Sequence, residues 1–133
     1  MKIGIFDSGL GGLVITKAII RKLPKYDFIY LGDTKRVPYG NRSQETIYEF
    51  TKQAVEYLFK QNCLLVILAC NSASAMALRR LQREFLPKKY PKRRILGVIV
   101  PTVEIASQGK RAKKIAVIAT AGTINSHIYR KEL

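Results

Sequence analysis

Short apolar runs alternate with longer amphipathic stretches along this 133-residue chain, and this alternation constrains the fold more than any other feature. The short runs suit strands that are covered on both faces, whereas the longer stretches repeat apolar residues at helical spacing. Strands that alternate with helices form βαβ units, whose strands lie parallel in one sheet. The sequence therefore predicts an α/β fold, a parallel sheet flanked by helices.

Apolar runs, capping residues and prolines place the individual elements. We expect strands at residues 2–6, 28–31, 64–69, 95–100 and 115–119. We expect helices at about 13–23, from a Ser43 cap to about residue 61, at 73–85, from about residue 102, and at 124–133. Pro87 should end the helix before it, and a basic loop should continue from there to Arg94.

Charge bears on the choice of partner, because 24 Lys and Arg against 9 Asp and Glu leave a formal charge of +15. This excess attracts anions, so nucleic acid is one candidate partner. The eight basic residues between positions 79 and 94 stand against Glu84 alone. That run offers only Phe85 and Tyr90 for stacking on bases and matches no nucleic-acid motif, so we favour a solvated basic face.

Cysteine content and hydropathy favour a cytoplasmic protein. Cys63 and Cys70 are too few for a disulfide framework, which is typical of reduced thiols. The longest apolar run, residues 64–70, is far shorter than the roughly 20 residues of a membrane-spanning helix. Asp7 interrupts the N-terminal apolar stretch before it could serve as a secretory signal. We expect no membrane span and no metal site.

Polar and small residues follow the predicted strands, at the edge where open α/β sheets bind ligands. The residues concerned are Asp7 and Ser8, then Asp33, Thr34 and Pro38-Tyr39-Gly40, then Cys70, Asn71 and Ser72, and finally Thr120 and Thr123. This edge would combine a carboxylate, a thiol, hydroxyls and free backbone amides. It is the predicted functional site.

The turn after the first strand, with Gly9, Gly11 and Gly12, allows three interpretations. A dinucleotide-binding turn would need a further glycine where Val14 stands, so that fit is poor. Asp7 could accept a phosphoryl group, yet Gly9 occupies the position of the second carboxylate in the common phosphatase pattern. Otherwise the glycines serve only a tight turn between strand and helix.

Cys70 is the sharper signal, because it lies between a buried strand and the start of a helix. Free amides there favour the thiolate, which predicts a nucleophile or base. An inert packed cysteine is the alternative, but the polar neighbours Asn71, Ser72 and Ser74 would serve no purpose around such a residue. His127, the single histidine, fits a surface residue better than a catalytic one.

Several blocks carry a family resemblance. They are Phe6-Asp7-Ser8-Gly9-Leu10-Gly11-Gly12-Leu13, Leu31-Gly32-Asp33-Thr34 with Arg36 and Pro38-Tyr39-Gly40, Ala69-Cys70-Asn71-Ser72-Ala73-Ser74-Ala75, Gly97-Val98-Ile99 with Pro101, and residues 120–126 with Tyr129. In this order they resemble glutamate racemases of the aspartate/glutamate racemase family. The match covers nearly the whole chain but only about the first half of such a racemase.

The resemblance implies cofactor-independent interconversion of L- and D-glutamate, with two cysteines acting as base and acid on opposite faces of the α-carbon. Cys70 matches the first cysteine, and Asp7 would assist proton transfer there. The substrate-binding positions would be Ser8, Pro38, Tyr39, Gly40, Asn71, Ser72, Thr120 and Thr123. The family usually has Thr at position 72, and Ser72 keeps the hydroxyl. The D-glutamate would supply peptidoglycan for the cell wall and hence cell shape.

The second catalytic cysteine of the family has no counterpart in these 133 residues. Seven residues of strand at about 3.3 Å each place Cys63 roughly 20 Å from Cys70, so it cannot substitute. We therefore expect one α/β lobe at 1–100, a truncated second lobe at 101–133, and impaired racemisation. Uncovered apolar surface predicts a homo-oligomer. A non-catalytic amino-acid-binding half-domain and a nucleic-acid-binding basic protein are the alternatives.

Overall fold

A parallel sheet forms the centre of the computed structural model, which describes residues 1–108 and 114–133. Its four strands are β1 (Lys2–Asp7), β2 (Asp27–Gly32), β3 (Cys63–Leu68) and β4 (Arg94–Gly97). They lie in the order β2-β1-β3-β4, and every neighbouring pair is parallel. The predicted α/β fold class is confirmed.

Helices make each connection between the strands. They are α1 (Gly12–Lys22), α2 (Gln44–Lys60), a stretch made of α3 (Asn71–Met76), α4 (Leu78–Arg80), a π-helical turn (Leu81–Phe85) and α5 (Leu86–Lys89), and then α6 (Ile99–Gln108), α7 (Ala121–Asn125) and α8 (Ile128–Glu132). The Ser43 hydroxyl accepts a hydrogen bond from the Thr46 N–H at 3.2 Å, which confirms the predicted cap of α2. Within the described ranges, none of these helices has both the length and the apolar character needed to cross a membrane.

The helical stretch after β3 does not end before Pro87, so that prediction was wrong. The Leu86 N–H donates to the Leu81 carbonyl, five residues back, and this wider π turn carries the chain into α5. Pro87 then lies in the first turn of α5, where its missing N–H is not needed. The predicted basic loop is reduced to residues 90–93.

The fourth strand and the following helix are displaced from their predicted bounds. β4 ends at Gly97 instead of residue 100, and α6 begins at Ile99, three residues earlier than expected. Pro101 does not delay the helix, because the first turn of a helix leaves its N–H groups without intrahelical partners.

The last two predicted elements were also wrong. Residues 115–119 form no strand: none of the described strands pairs with them, and Ile118 is 99% exposed. The predicted helix 124–133 is divided into α7 and α8 because His127, between them, has a left-handed φ of 55°.

Both faces of the sheet are buried. On one face, Phe6, Val66 and Leu68 pack in a cluster with Leu58 of α2 and Leu81 of the π-helical turn. On the other, a smaller cluster joins Ile3 and Ile5 of β1 to Ile15 and Ile19 of α1. Covering both faces leaves the edges of the sheet as the places where polar groups can gather.

Candidate functional site

A cleft of about 400 Å³ opens at the carboxyl edge of the sheet, where β1 and β3 end. Its wall consists of Asp7, Ser8, Gly9, Gly11, Gly12, Ile15, Ala69, Cys70, Asn71 and Ser72. Five of the predicted site residues therefore share one cleft of a size suited to a small molecule. In the part of the chain that the structure describes, no three His, Cys, Asp or Glu side chains converge as ligands for a metal ion.

Asp7 is held firmly at the end of β1. Its Oδ2 accepts a hydrogen bond from the Gly12 N–H at 2.9 Å and lies 3.4 Å from the Tyr30 hydroxyl, which can donate to it. A Cβ atom at Gly12 would lie 2.8 Å from the Asp7 Cβ and 3.0 Å from the Ala69 Cβ. Glycine at this position therefore allows the first turn of α1 to approach the carboxylate.

Cys70 follows β3 directly and precedes α3. Its Sγ accepts a hydrogen bond from the Ala73 N–H at 3.4 Å, and its thiol can donate to the Ser8 hydroxyl oxygen, also at 3.4 Å. The residue is 6% exposed, and it lines the cleft. A sulfur that receives a backbone donor in this way can carry negative charge, which a proton acceptor requires.

Cys63 differs from Cys70 in its position on the strand and in its access to the cleft. It begins β3, whereas Cys70 lies beyond the other end of that strand. Its side chain is fully buried in the core, and this burial raises the pKa of the Cys63 thiol. The structure therefore separates the two thiols, as the strand length predicted.

Thr120 reaches the rim of the site through its hydroxyl group, and the buried Thr123 lies behind it. Thr120 Oγ1 lies 3.2 Å from Ser72 Oγ and donates to Thr123 Oγ1 at 3.2 Å. Nearby, the Tyr129 hydroxyl donates to Asn71 Oδ1 at 2.8 Å. The contact made by Tyr129 was not predicted, although the residue stands in the last of the resembling blocks.

The side chain of Tyr39 belongs to the core and does not line the cleft. Its ring lies between Phe6 and Phe50, at centroid distances of 6.2 and 5.7 Å, and it is 2% exposed. A part for Tyr39 in substrate binding would consequently fall to its backbone. Of its neighbours, Pro38 is exposed, and the Gly40 carbonyl accepts a hydrogen bond from the Gly122 N–H at 3.2 Å.

Asp33 organises this loop; the sequence placed it at the predicted edge but did not predict its contacts. Its Oδ2 accepts hydrogen bonds from the Tyr39 hydroxyl and from Arg36 Nε, both at 2.6 Å. Its own N–H donates to the Asp7 carbonyl at 3.0 Å. Burial and the hydrogen bond to Asp33 raise the pKa of Tyr39 well above its usual range. The sequence signal for this contact was the spacing of three residues between Asp33 and Arg36, which both stand in the second resembling block.

Acidic residues balance part of the basic run at 79–94. Arg80 pairs with Glu45 at 2.5 Å and Glu84 at 3.0 Å, while Lys89 pairs with Glu56 at 2.5 Å. These pairs, together with one between Arg79 and Glu132, support the solvated face that the sequence favoured. His127 does not line the cleft and instead lies at the break between α7 and α8.

The fold and the cleft define an α/β protein whose candidate site combines a thiol and a carboxylate at the carboxyl edge of a parallel sheet. No protein-family model matches the chain. A glutamate racemase of Aquifex aeolicus is 47% identical over 133 residues, which are 100% of this chain and 50% of that protein. The chain is similar to these glutamate racemases over its whole length, and it spans about half the length of the curated relatives it matches.

Solved structures agree with the sequence comparison. The glutamate racemase of Aquifex pyrophilus superposes with a TM-score of 0.90 and 45% identity over 99% of this chain and 50% of its own. A glutamate racemase of Francisella tularensis, solved in complex with D-glutamate, gives a TM-score of 0.84 and 38% identity over 98% and 47%. The resemblance and the racemase-like sheet that the sequence predicted are thereby confirmed.

Proposed function

We propose that this chain binds glutamate in the cleft at the carboxyl edge and carries one of the two proton-transfer groups of a glutamate racemase. The observation that supports this most directly is the shared cleft of Cys70 and Asp7 in a chain that is similar to glutamate racemases. The relative from Francisella tularensis, which holds D-glutamate, supports glutamate as the substrate.

In this proposal the Cys70 thiolate removes the α-proton from one face of the amino acid. That proton is only weakly acidic, so the negative charge that develops on the substrate must be stabilised by donors already in place. The hydroxyls of Ser8 and Ser72 and the backbone amides at the turns lining the cleft supply such donors. Asp7, beside them, assists the transfer of the proton to and from Cys70.

Inversion requires that a proton arrive from the opposite face. Cys63 is buried at the far end of β3, so a protein of these 133 residues has one thiol at the cleft. Water would deliver the second proton only slowly, because it is a much weaker acid than a positioned side-chain thiol. We infer that residues 1–100 form one lobe and 101–133 begin another, and that these residues alone racemise glutamate poorly.

The proposal also includes a biological role. The D-glutamate would be produced in the cytoplasm and would supply peptidoglycan for the cell wall. No cofactor takes part in the proton transfer. Self-association into a homo-oligomer would cover apolar side chains of the C-terminal part, such as Ile105 and Ile118.

The test is to incubate L- and D-glutamate separately with the protein in D₂O. Proton NMR follows loss of the α-proton, and circular dichroism follows inversion. We expect exchange in one enantiomer with its configuration retained, and racemisation at least roughly a thousandfold slower than that of a complete glutamate racemase assayed in parallel. Cys70→Ser should abolish exchange, and the matched variant Cys63→Ser should leave it intact.

The other outcomes discriminate among the alternatives. Exchange that survives in Cys70→Ser would overturn the assignment of the base. Full-rate racemisation would overturn the single-thiol argument and direct attention first to His127. Calorimetric binding of glutamate without any exchange would favour the non-catalytic amino-acid-binding alternative.

A further inference from the structure

We propose that Tyr30 is a positioning residue of the proton-transfer site, which locks the Asp7 carboxylate so that Oδ1 faces the cleft. This inference rests on the proposed function and deepens it. Tyr30 lies on β2, outside the lining of the cleft, and it matches none of the predicted site residues.

The register of the sheet brings the Tyr30 side chain to Asp7. Tyr30 pairs with Ile5 across β1 and β2, two residues before Asp7, and its ring packs on the small cluster of Ile3 and Ile5 beside α1. From there its hydroxyl reaches past the end of β1. Strand pairing and ring packing therefore set the position of the hydroxyl before any hydrogen bond forms.

The Tyr30 hydroxyl has two acceptors for a single proton. The Gly9 carbonyl lies at 2.8 Å and Asp7 Oδ2 at 3.4 Å. The nearer Gly9 carbonyl is the main acceptor, so the hydroxyl holds the turn that follows β1, and it makes a second, longer polar contact with the carboxylate at the end of β1. Burial and the nearby Asp7 charge raise the pKa of Tyr30 to about 12, so it remains a donor at neutral pH.

The hydrogen bonds to the Asp7 carboxylate indicate which of its two oxygens can take part in proton transfer. Among the described residues, the Asp7 carboxylate accepts hydrogen bonds from the Gly12 backbone N–H and the Tyr30 hydroxyl, and both fall on Oδ2. Every buried side-chain oxygen or nitrogen atom within those residues has a hydrogen-bond partner. Because Oδ1 receives neither of the two bonds above, it is not fully buried. Asp7 lines the cleft, and we assign Oδ1, which receives neither of these bonds, as the acceptor that faces it.

Tyr30→Phe tests the proposal, because it keeps the ring and removes the donor. The chain has three aspartates, so carboxyl carbon NMR of ¹³C-labelled aspartate gives few signals, and Asp7→Asn assigns the relevant one. Loss of the hydroxyl should shift the Asp7 carboxyl resonance at neutral pH, because Oδ2 loses a polar contact. Where exchange is measurable, its rate should fall while the binding of glutamate, followed by calorimetry, is retained.

The matched control is Tyr26→Phe, which removes a hydroxyl from an exposed tyrosine. It should leave the Asp7 carboxyl resonance unchanged. An unchanged Asp7 resonance in folded Tyr30→Phe would overturn the proposal. A protein that shows the shift but no exchange with glutamate would keep the positioning role and overturn the proposed function instead.

If Tyr30→Phe does not fold, ultraviolet titration of the unsubstituted protein and of Asp7→Asn decides the question. Removing the carboxylate charge should lower the pH at which the Tyr30 phenol ionises. The difference between the two curves reports the phenol that contacts Asp7, which is Tyr30, and Tyr26→Phe gives the absorbance change of one exposed phenol. No change in the Tyr30 ionisation would overturn the contact with Asp7.

Discussion

A Cβ atom at Gly40 would lie 2.4 Å from the Thr120 Cγ2, so the loop after β2 and the segment before α7 meet with no space for a side chain. The Gly40 carbonyl also accepts a hydrogen bond from the Gly122 N–H. This contact holds Thr120 within reach of Ser72 at the rim of the cleft. The C-terminal segment thus contributes to the site through a backbone approach that glycine alone permits.

Gly40→Ala should displace the segment around Thr120 and destabilise the protein by about 1–3 kcal/mol, because the added methyl group overpacks the contact. Urea unfolding measures the effect. The control is Gly9→Ala, whose added Cβ would lie 3.5 Å from Val37 Cγ1, an ordinary contact distance. Equal unfolding midpoints for the two variants would contradict the prediction.

The two thiols should differ in their rate of alkylation. Cys70 lines the cleft and receives the Ala73 N–H, whereas burial raises the pKa of Cys63 and denies it access to reagent. We expect iodoacetamide to modify Cys70 first near neutral pH, as read by mass spectrometry of the Cys63→Ser and Cys70→Ser variants. Faster modification of Cys63 in the folded protein would disprove the assignment.

Tyr39→Phe should destabilise the protein at neutral pH by about 1–3 kcal/mol, because Asp33 loses a short hydrogen bond. The effect should shrink at high pH. The folded state raises the pKa of Tyr39, and the unfolded chain ionises near pH 10, so the stability that this tyrosine contributes is lost above about pH 10.

Urea unfolding at pH 8 and pH 11 checks the direction of this pH dependence. The difference in free energy of unfolding between the unsubstituted protein and Tyr39→Phe should narrow as the pH rises. Tyr57→Phe, at a tyrosine that is 50% exposed, serves as the control and should follow the unsubstituted protein at both values. A free-energy difference that widens with pH would refute the explanation.

Exposed apolar side chains of the C-terminal part should drive self-association. Ile105 is 73% exposed and Ile118 is 99% exposed. Replacing both with Lys should reduce association at micromolar concentration, as measured by sedimentation velocity. Val14→Lys changes an equally exposed residue of α1 and should have a smaller effect. A monomer in the unsubstituted protein would contradict the prediction.

Local pattern was enough to predict the first part of the fold. β1, β2 and β3 and helices α1 and α2 lie within two residues of their expected bounds, and Ser43 caps α2 as expected. Apolar periodicity and capping depend on neighbours in the chain, so the sequence carries them directly. The placement of Asp7, Ser8 and Cys70 at one edge followed from the same reasoning, because parallel strands bring their carboxyl ends together.

Tertiary structure decided the rest. Residues 115–119 are as apolar as a strand, but a strand exists only where another strand pairs with its backbone, and none of the described strands does so. Tyr39 turns its ring into the core because Phe6 and Phe50 come together there, and Tyr30 reaches Asp7 because two strands share a register. The sequence determined which elements form and which edge holds the polar groups. Contacts between residues distant in the chain decided where those side chains point, since such contacts exist only after the sheet has assembled.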